Sequence, residues 1–269
     1  MIKDIPKLIE HVTKEIKQQT DIATIGISGG ADSTLVAILC MLSLGKENVY
    51  GVSMPYSTQS EKGALSLIQK LGIRYYTIFI TKQVNSFKKI TEVYTGRLSQ
   101  LNLGNLQSRM RMLTLYTINQ SISEQEKVRC RVIGTGNISE DYIGYDTKGG
   151  DALADFFPIG DLFKSEVYQL LDFFKEHYTE GGQWYLPLPH ATAPSIIDEK
   201  HIARIPTAGL WEGQTDEKDL GYTYNEMEQS IRRNAFVESD CDKFVLKRHE
   251  ANKHKHEAPL VIKLREFCE

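Results

Sequence analysis

With 269 residues, of which 41% are hydrophobic and 25% charged, the chain has the composition of a soluble globular protein able to bury a sizeable core. Lys and Arg number 32 against 35 Asp and Glu, and the net charge of -3 excludes the overall basic footprint of a nucleic-acid binder. Four scattered cysteines, Cys40, Cys130, Cys241 and Cys268, form no C-x-x-C pair and have no histidine at ligand spacing. They argue against zinc or dithiol chemistry and read as reduced thiols. The N-terminus carries no apolar signal region, and the longest apolar run, Leu35 to Leu42, is too short for a bilayer. The expectation is a cytoplasmic protein with no membrane or nucleic-acid partner.

In chain order, Ile5, Leu8, Ile9, Val12 and Ile16 recur at helical spacing and predict an opening amphipathic helix. Residues Asp21 to Ser28 are short, β-branched and end in Gly29-Gly30, and Ser33 to Leu44 is apolar on nearly every face. That pattern predicts a buried strand, a glycine turn and a buried helix. Asn48 to Met54 then reads as a strand, Glu61 to Leu71 as a helix, and Arg74 to Ile80 as a strand before a polar loop from Thr81 to Gln100. Leu106, Met110 and Leu113 mark a further helix, and Arg131 to Gly134 a fourth strand. Strands alternating with helices predict a doubly wound, Rossmann-like parallel α/β sheet with helices on both faces. Ligands of such sheets bind beyond the carboxyl ends of the strands, where Gly29-Gly30 and Gly134-Thr135-Gly136 fall. The Gly- and Asp-rich stretch from Asn137 to Pro158 is a candidate functional loop. Phe163, Val167, Leu170, Leu171 and Phe174 predict the next helix, Gly181 to Asp219 a second long loop, and the chain from Tyr224 onward a helical region.

Ser28-Gly29-Gly30-Ala31-Asp32-Ser33 is the sharpest feature. Glycines let a phosphate approach the backbone, the helix N-terminus offers free N–H donors, and Ser28 and Ser33 add hydroxyls. Asp32 beside a phosphate calls for an intervening cation such as Mg²⁺. The alternative is a plain turn with Asp32 or Ser33 as N-cap. No G-K-[ST] ending makes it a Walker A loop, and no G-x-G-x-x-G makes it a dinucleotide fingerprint. The segment resembles the PP-loop of the ATP pyrophosphatases, whose adenine nucleotide alpha hydrolase-like fold holds ATP and whose members transfer AMP to a substrate.

Three further segments narrow the resemblance: Gly134-Thr135-Gly136-Asn137-Ile138-Ser139-Glu140, then Gly144-Tyr145-Asp146-Thr147-Lys148 with Gly150-Asp151 and Asp155, then Pro158 to Lys164. With Pro206 to Glu217 and the pair His254-Lys255, they resemble the NAD synthetase family over about residues 22 to 260. The resemblance implies that Gly26, Ile27, Ser28, Gly29, Gly30, Ala31, Asp32 and Ser33 hold ATP together with Thr135, Lys164 and Thr207. It implies Asp32 and Glu140 as Mg²⁺ ligands and, with Lys164, as the catalytic groups. Arg109, Lys148, Asp155, His254 and Lys255 match positions that bind deamido-NAD. Arg109 and Arg111 lie about 200° apart around a helix and cannot face one ligand, and Arg109 is the expected binder. Charge alone reads Lys247 to Glu257 as a solvated face. Met54-Pro55-Tyr56 is either an adenine-side edge or a strand ended by proline.

The implied reaction joins ammonia to the nicotinate carboxylate of deamido-NAD at the expense of ATP, giving NAD, AMP and pyrophosphate. A homodimer is the expected assembly, with Leu98 to Leu115 as a candidate interface helix. A thiolating or GMP-forming relative is disfavoured by the scattered cysteines, the charge and the Gly134 to Lys164 segment. A non-catalytic nucleotide-binding protein is disfavoured by Asp32, Glu140 and Lys164. The expectation is one synthetase domain over residues 1–269, with no glutamine amidase domain. Thr81 to Gln100 and Gly181 to Arg204 are the candidate covers for the reaction intermediate.

Overall fold

Four parallel strands, β1 (Ile22–Gly26), β2 (Val49–Ser53), β3 (Arg74–Thr77) and β4 (Cys130–Ile133), form one sheet in the order β3-β2-β1-β4 in the computed structural model of the chain. The structure describes residues 1–56, 61–176, 206–207, 213–233 and 236–264. β1 is central, with Ile25 opposite Gly51 on β2 and opposite Ile133 on β4. The direction of winding reverses between β1 and β4, so the crevice that such a reversal opens lies at the carboxyl ends of these two strands.

Period-two alternation in β1 sends its side chains to two layers. Ala23 and Ile25 face a layer made by α1 (Ile5–Gln19), α2 (Ala31–Leu44), α3 (Glu61–Leu71) and α7 (Lys164–Glu176), whose Ile9, Ile16, Leu35, Leu39, Leu67 and Leu171 form the main core. Thr24 and Gly26 face α5 (Gln100–Glu126): Thr24 Oγ1 donates to Asn119 Oδ1 at 3.1 Å, and Leu115 lies against the open side of Gly26. Nearly every residue of α2 is buried because sheet, α1, α3 and α7 surround it, which explains a sequence apolar on all faces.

One expectation fails. Residues 81–95, read as polar loop, form α4 (Thr81–Thr95), and α5 already begins at Gln100. Val84 is its only buried residue, while Phe87, Ile90, Val93 and Tyr94 are exposed. The core-facing signal that marks a surface helix is therefore nearly missing, although the apolar residues keep helical spacing on the outer side. Residues 181–204, the other candidate cover, lie outside the described residues.

Beyond β4 the chain makes the short helix α6 (Ile138–Tyr142) and, after α7, the helices α8 (Asp216–Leu220), α9 (Tyr224–Arg233) and α10 (Asp240–Asn252). Ile143, Leu220, Tyr224, Met227, Ile231 and Val245 give this end its own small core. α10 is closed at its start by a Ser239–Asp242 capping box. Cys40, Cys130 and Cys241 are free and buried. Among the described residues no helix is long and apolar enough to cross a membrane.

Candidate active site

The turn after β1 is built for close approach. Gly29 has φ +84°, and a Cβ there would meet the backbone of Gly63 at 2.8 Å, so only glycine passes under the start of α3. Ser28 and Ser33 brace the turn: their hydroxyls lie 3.1 Å apart, Gly30 N donates to Ser28 Oγ, and Ser33 Oγ donates to Gly30 O. The N-cap of α2 is Gly30, which makes no side-chain cap bond. Asp32 and Ser33 are therefore inside the helix rather than its caps, and no N-cap side chain covers the first-turn N–H groups. Ile27 and Ala31 are buried, so their contribution to a ligand is limited to backbone.

The turn after β4 comes to the same place. Asn137, fully buried at the N-cap of α6, accepts from Glu140 N at 3.2 Å and donates to Asp32 Oδ1 at 3.0 Å. One carboxamide thus ties the Asp32 carboxylate to the backbone of Glu140. Between the Asp32 and Glu140 carboxylates lies Lys164, the first residue of α7, 5% exposed, with Nζ 2.5 Å from Asp32 Oδ2 and 2.9 Å from Glu140 Oε1. Burial alone would lower the lysine's pKa, but Glu140 and Asp32 more than offset it and hold the ammonium protonated. Burial pushes Glu140 up to about 7, with Lys164 opposing and Asp32 adding to the rise.

Two residues that the sequence did not single out complete the cluster. Tyr224 Oη lies 3.2 Å from Glu140 Oε1 and 3.1 Å from Asp216 Oδ2, and the Lys164 ammonium sits 5.7 Å from the Tyr224 ring centre. Burial and the two carboxylates keep Tyr224 a phenol. Asp216 is 3% exposed and lies in the Pro206 to Glu217 segment, the only sequence signal for it. Hard carboxylate oxygens from Asp32 and Glu140 already converge on one cation, the Lys164 ammonium, so the donor set fits a Mg²⁺ ion.

A second group of contacts runs along the loop after α6. Arg109 Nε donates to Lys148 O at 3.2 Å, and Lys148 Nζ donates to His254 O at 2.8 Å. Lys255 Nζ donates to Gly144 O at 2.7 Å and to Asp146 O at 2.8 Å, with Asp146 Oδ1 at 3.3 Å. Arg109, Lys148, His254 and Lys255 are thus brought onto one loop. Arg111 goes elsewhere, to Met54 O. Asp155 also stands apart: its carboxylate accepts from Val132 N at 2.7 Å and lines a cavity of about 630 Å³ with Tyr116, Arg131 and Asp21. Thr135 is half-buried in the turn after β4, and Thr207 is exposed beside Pro206, whose carbonyl accepts from Asp216 N.

Asp141 and His256 are not singled out by the sequence and Asp146 enters only within the Gly144 to Lys148 segment, yet their ligating atoms lie within 4.8 Å of one another. Asp146 and His256 form an ion pair that raises the histidine's pKa, and burial pushes Asp141 up to about 7. The third member of the His254-Lys255-His256 run was the available signal.

A glycine turn with a helix N-terminus at a switch point, where Glu140 from beyond β4 meets Asp32 of the turn's own helix through Lys164, defines an α/β nucleotide-binding protein of the PP-loop type. The sequence profile of the NAD synthase family matches residues 1–259, and the chain belongs to that family. It is 40% identical over 210 residues to the NH(3)-dependent NAD(+) synthetase of Methanococcus aeolicus, covering 77% of this chain and 72% of that one. Among solved structures, an NMN synthetase from Francisella tularensis superposes with a TM-score of 0.78 at 28% identity, covering 98% of this chain and 100% of that one. The NH3-dependent NAD synthetase from Campylobacter jejuni, in complex with the nitrate ion, gives 0.72 at 27% identity, covering 97% and 100%.

Proposed function

We propose that this chain is an ATP-dependent amidating ligase that converts deamido-NAD and ammonia to NAD, AMP and pyrophosphate, with residues 1–269 acting as one synthetase domain. The observation that carries this reading is the convergence of Asp32, Glu140 and Lys164 at the ends of β1 and β4, in a member of the NAD synthase family. An oxygen of the nicotinate carboxylate attacks the α-phosphorus of ATP and pyrophosphate leaves. Ammonia then attacks the acyl carbon, AMP leaves with the bonding pair, and nitrogen loses a proton. No side-chain nucleophile is needed.

The uncapped first turn of α2 and the Ser28 and Ser33 hydroxyls would receive phosphate oxygens. Lys164, held protonated, would stabilise charge that builds on the α-phosphate. Mg²⁺ held by Asp32 and Glu140 would neutralise the triphosphate and the departing pyrophosphate. Arg109, Lys148 and Lys255 supply positive charge along the loop where an anionic dinucleotide would lie, with His254 beside the same loop, whereas Asp155 lies apart beside β4. The work of these cations is to hold two mutually repelling anions in line.

The exposed apolar stripe of Phe87, Ile90 and Tyr94 on α4, with Leu101 and Leu113 on α5, supports a homodimer through these helices. Light scattering at micromolar concentration should give twice the chain mass, and a monomer counts against it. The neighbouring NMN synthetase structure supports a second reading, in which nicotinate mononucleotide is the carboxylate substrate. One assay separates the readings: chain, ATP, Mg²⁺ and ammonium are incubated with deamido-NAD or with nicotinate mononucleotide, and amide product and AMP are measured. A higher kcat/KM for deamido-NAD is expected. No amide from either substrate would sink the ligase reading, and preference for the mononucleotide would replace the first substrate with the second.

A further inference from the structure

Glu228 on α9 is 4% exposed, yet among the described residues no Lys, Arg or His pairs with it. A buried carboxylate without a cation needs several hydrogen bonds to persist, and here all three come from neutral donors. Oε1 accepts from Ser139 Oγ at 2.8 Å and from Ser165 N at 3.1 Å, and Oε2 accepts from Ser165 Oγ at 2.5 Å. Ser139 Oγ in turn accepts from Lys164 N at 3.0 Å. The first two amides of α7 are therefore capped from outside their own helix, by Ser139 of α6 and Glu228 of α9. A carboxylate at a helix N-terminus is also favoured by the helix dipole.

Ser139 precedes Glu140 and Ser165 follows Lys164. We propose that Glu228 is a positioning residue that fixes α6 and α7 to each other, so that Glu140 and the Lys164 ammonium meet on Asp32. The assignment rests on the ligase reading of Asp32, Glu140 and Lys164 given above. Lys164 reaches the site through a long, many-rotamer side chain, so the place of its ammonium depends on where the first turn of α7 is held. Displacement of a reacting group by about 1 Å costs roughly 10²-fold in rate. A purely structural carboxylate would lower stability without reference to Lys164. A positioning one loses its effect on turnover once Lys164 is gone.

The test is a double-mutant cycle on pyrophosphate release with Glu228→Ala, Lys164→Ala and the pair. Glu228→Ala should lower kcat by roughly 10²-fold with KM for ATP within about threefold. In the Lys164→Ala background the same change should cost no more than about threefold. Glu228→Gln keeps an acceptor oxygen and should lose only about tenfold; it carries the same cycle if Glu228→Ala does not fold. Losses that multiply fully in the pair, or wild-type kcat in folded Glu228 variants, overturn the proposal.

A readout without turnover keeps this separate from the ligase reading. In chain labelled with ¹⁵N-lysine, the Lys164 ammonium, assigned with Lys164→Ala, should give a slowly exchanging signal that folded Glu228→Ala lacks and Glu228→Gln retains. An unchanged signal in folded Glu228→Ala refutes the positioning role even in an active enzyme. A wild-type chain that makes no amide refutes the ligase reading while leaving this signal to decide the role of Glu228.

Discussion

Around Lys164 the contacts join charged side chain to charged side chain and are largely buried; along the loop from Gly144 to Lys148 most join a cation to a backbone carbonyl, with Asp146 the one carboxylate among them. The first arrangement is pre-assembled. Asp32, Asn137, Glu140, Lys164 and Tyr224 each have partners fixed by separate elements, and removing one takes a fixed partner from its neighbours. The second arrangement is exchangeable. Lys148 holds a neutral carbonyl in the free chain, so an anionic ligand offers it a stronger partner at little structural cost, while Lys255 divides its contacts between two carbonyls and the Asp146 carboxylate. On the proposed function, chemistry common to adenylating enzymes would sit at the rigid end, and recognition of one carboxylate substrate at the exchangeable end.

Loss of a carboxylate at the rigid end should give the largest effect. Asp32→Ala and Glu140→Ala should each lower amide formation by on the order of 10³-fold or more while circular dichroism remains that of the folded chain. Normal turnover by folded Asp32→Ala would remove the basis for treating the two ends differently.

Lys164→Met should come next, with a loss of roughly 10²-fold in kcat. It also leaves Asp32 and Glu140 facing each other with no cation between them. Breaking a buried pair costs up to about 3–5 kcal/mol, so the melting temperature in chelator should fall, and millimolar Mg²⁺ should raise it more in the variant than in the wild type. Equal responses to Mg²⁺ would show that the ion does not use these carboxylates.

At the loop end, Arg109→Ala and Lys255→Ala should each raise KM for deamido-NAD about tenfold and leave KM for ATP nearly unchanged. The reverse pattern in initial-rate measurements would place these cations on the nucleotide side. Gly144 sharpens the point: it has φ +61° and a Cβ there would lie 2.1 Å from Asn252 Cβ, so the loop and α10 are closely fitted at this point.

The rigid end was partly legible in the sequence for physical reasons. A strand and helix buried on both faces give long apolar runs, a strand-to-helix turn at close approach demands Gly29, and Asp32 lies in that turn's own segment, whereas Glu140 and Lys164 enter only through the family resemblance. Tyr224, Asp216 and Glu228 were not legible in the same way, because their meaning arises only when α8 and α9 fold back on α6 and α7. The helix α4 was misread because Val84 alone anchors it, so period and polarity gave opposite signals. Arg109, Lys148, His254 and Lys255 carry no local pattern of their own; the loop brings them together, whereas Asp155 remains with β4.

The smallest expected effect is on stability, and it compares the two ends through one proton each. Burial holds both Glu140 and Asp141 near 7, above their ordinary 4.5 and 3.8. A carboxyl whose pKa is raised on folding stabilises the folded state while protonated, so its contribution is complete below its ordinary value and is lost as pH rises through about 7. The melting temperature of the free chain should therefore fall by a few degrees between pH 5 and 7.5. Asp242 works in the opposite sense: Arg233 and its serine partners hold its pKa low, so its contribution is lost only in acid, outside that window. Glu140→Gln should remove the share of the slope that comes from the rigid end, and Asp141→Asn the share from the acidic group beside Asp146 and His256. A wild-type profile flat from pH 5 to 7.5, or one unchanged in both variants, would show that neither carboxyl titrates near 7 in the folded chain.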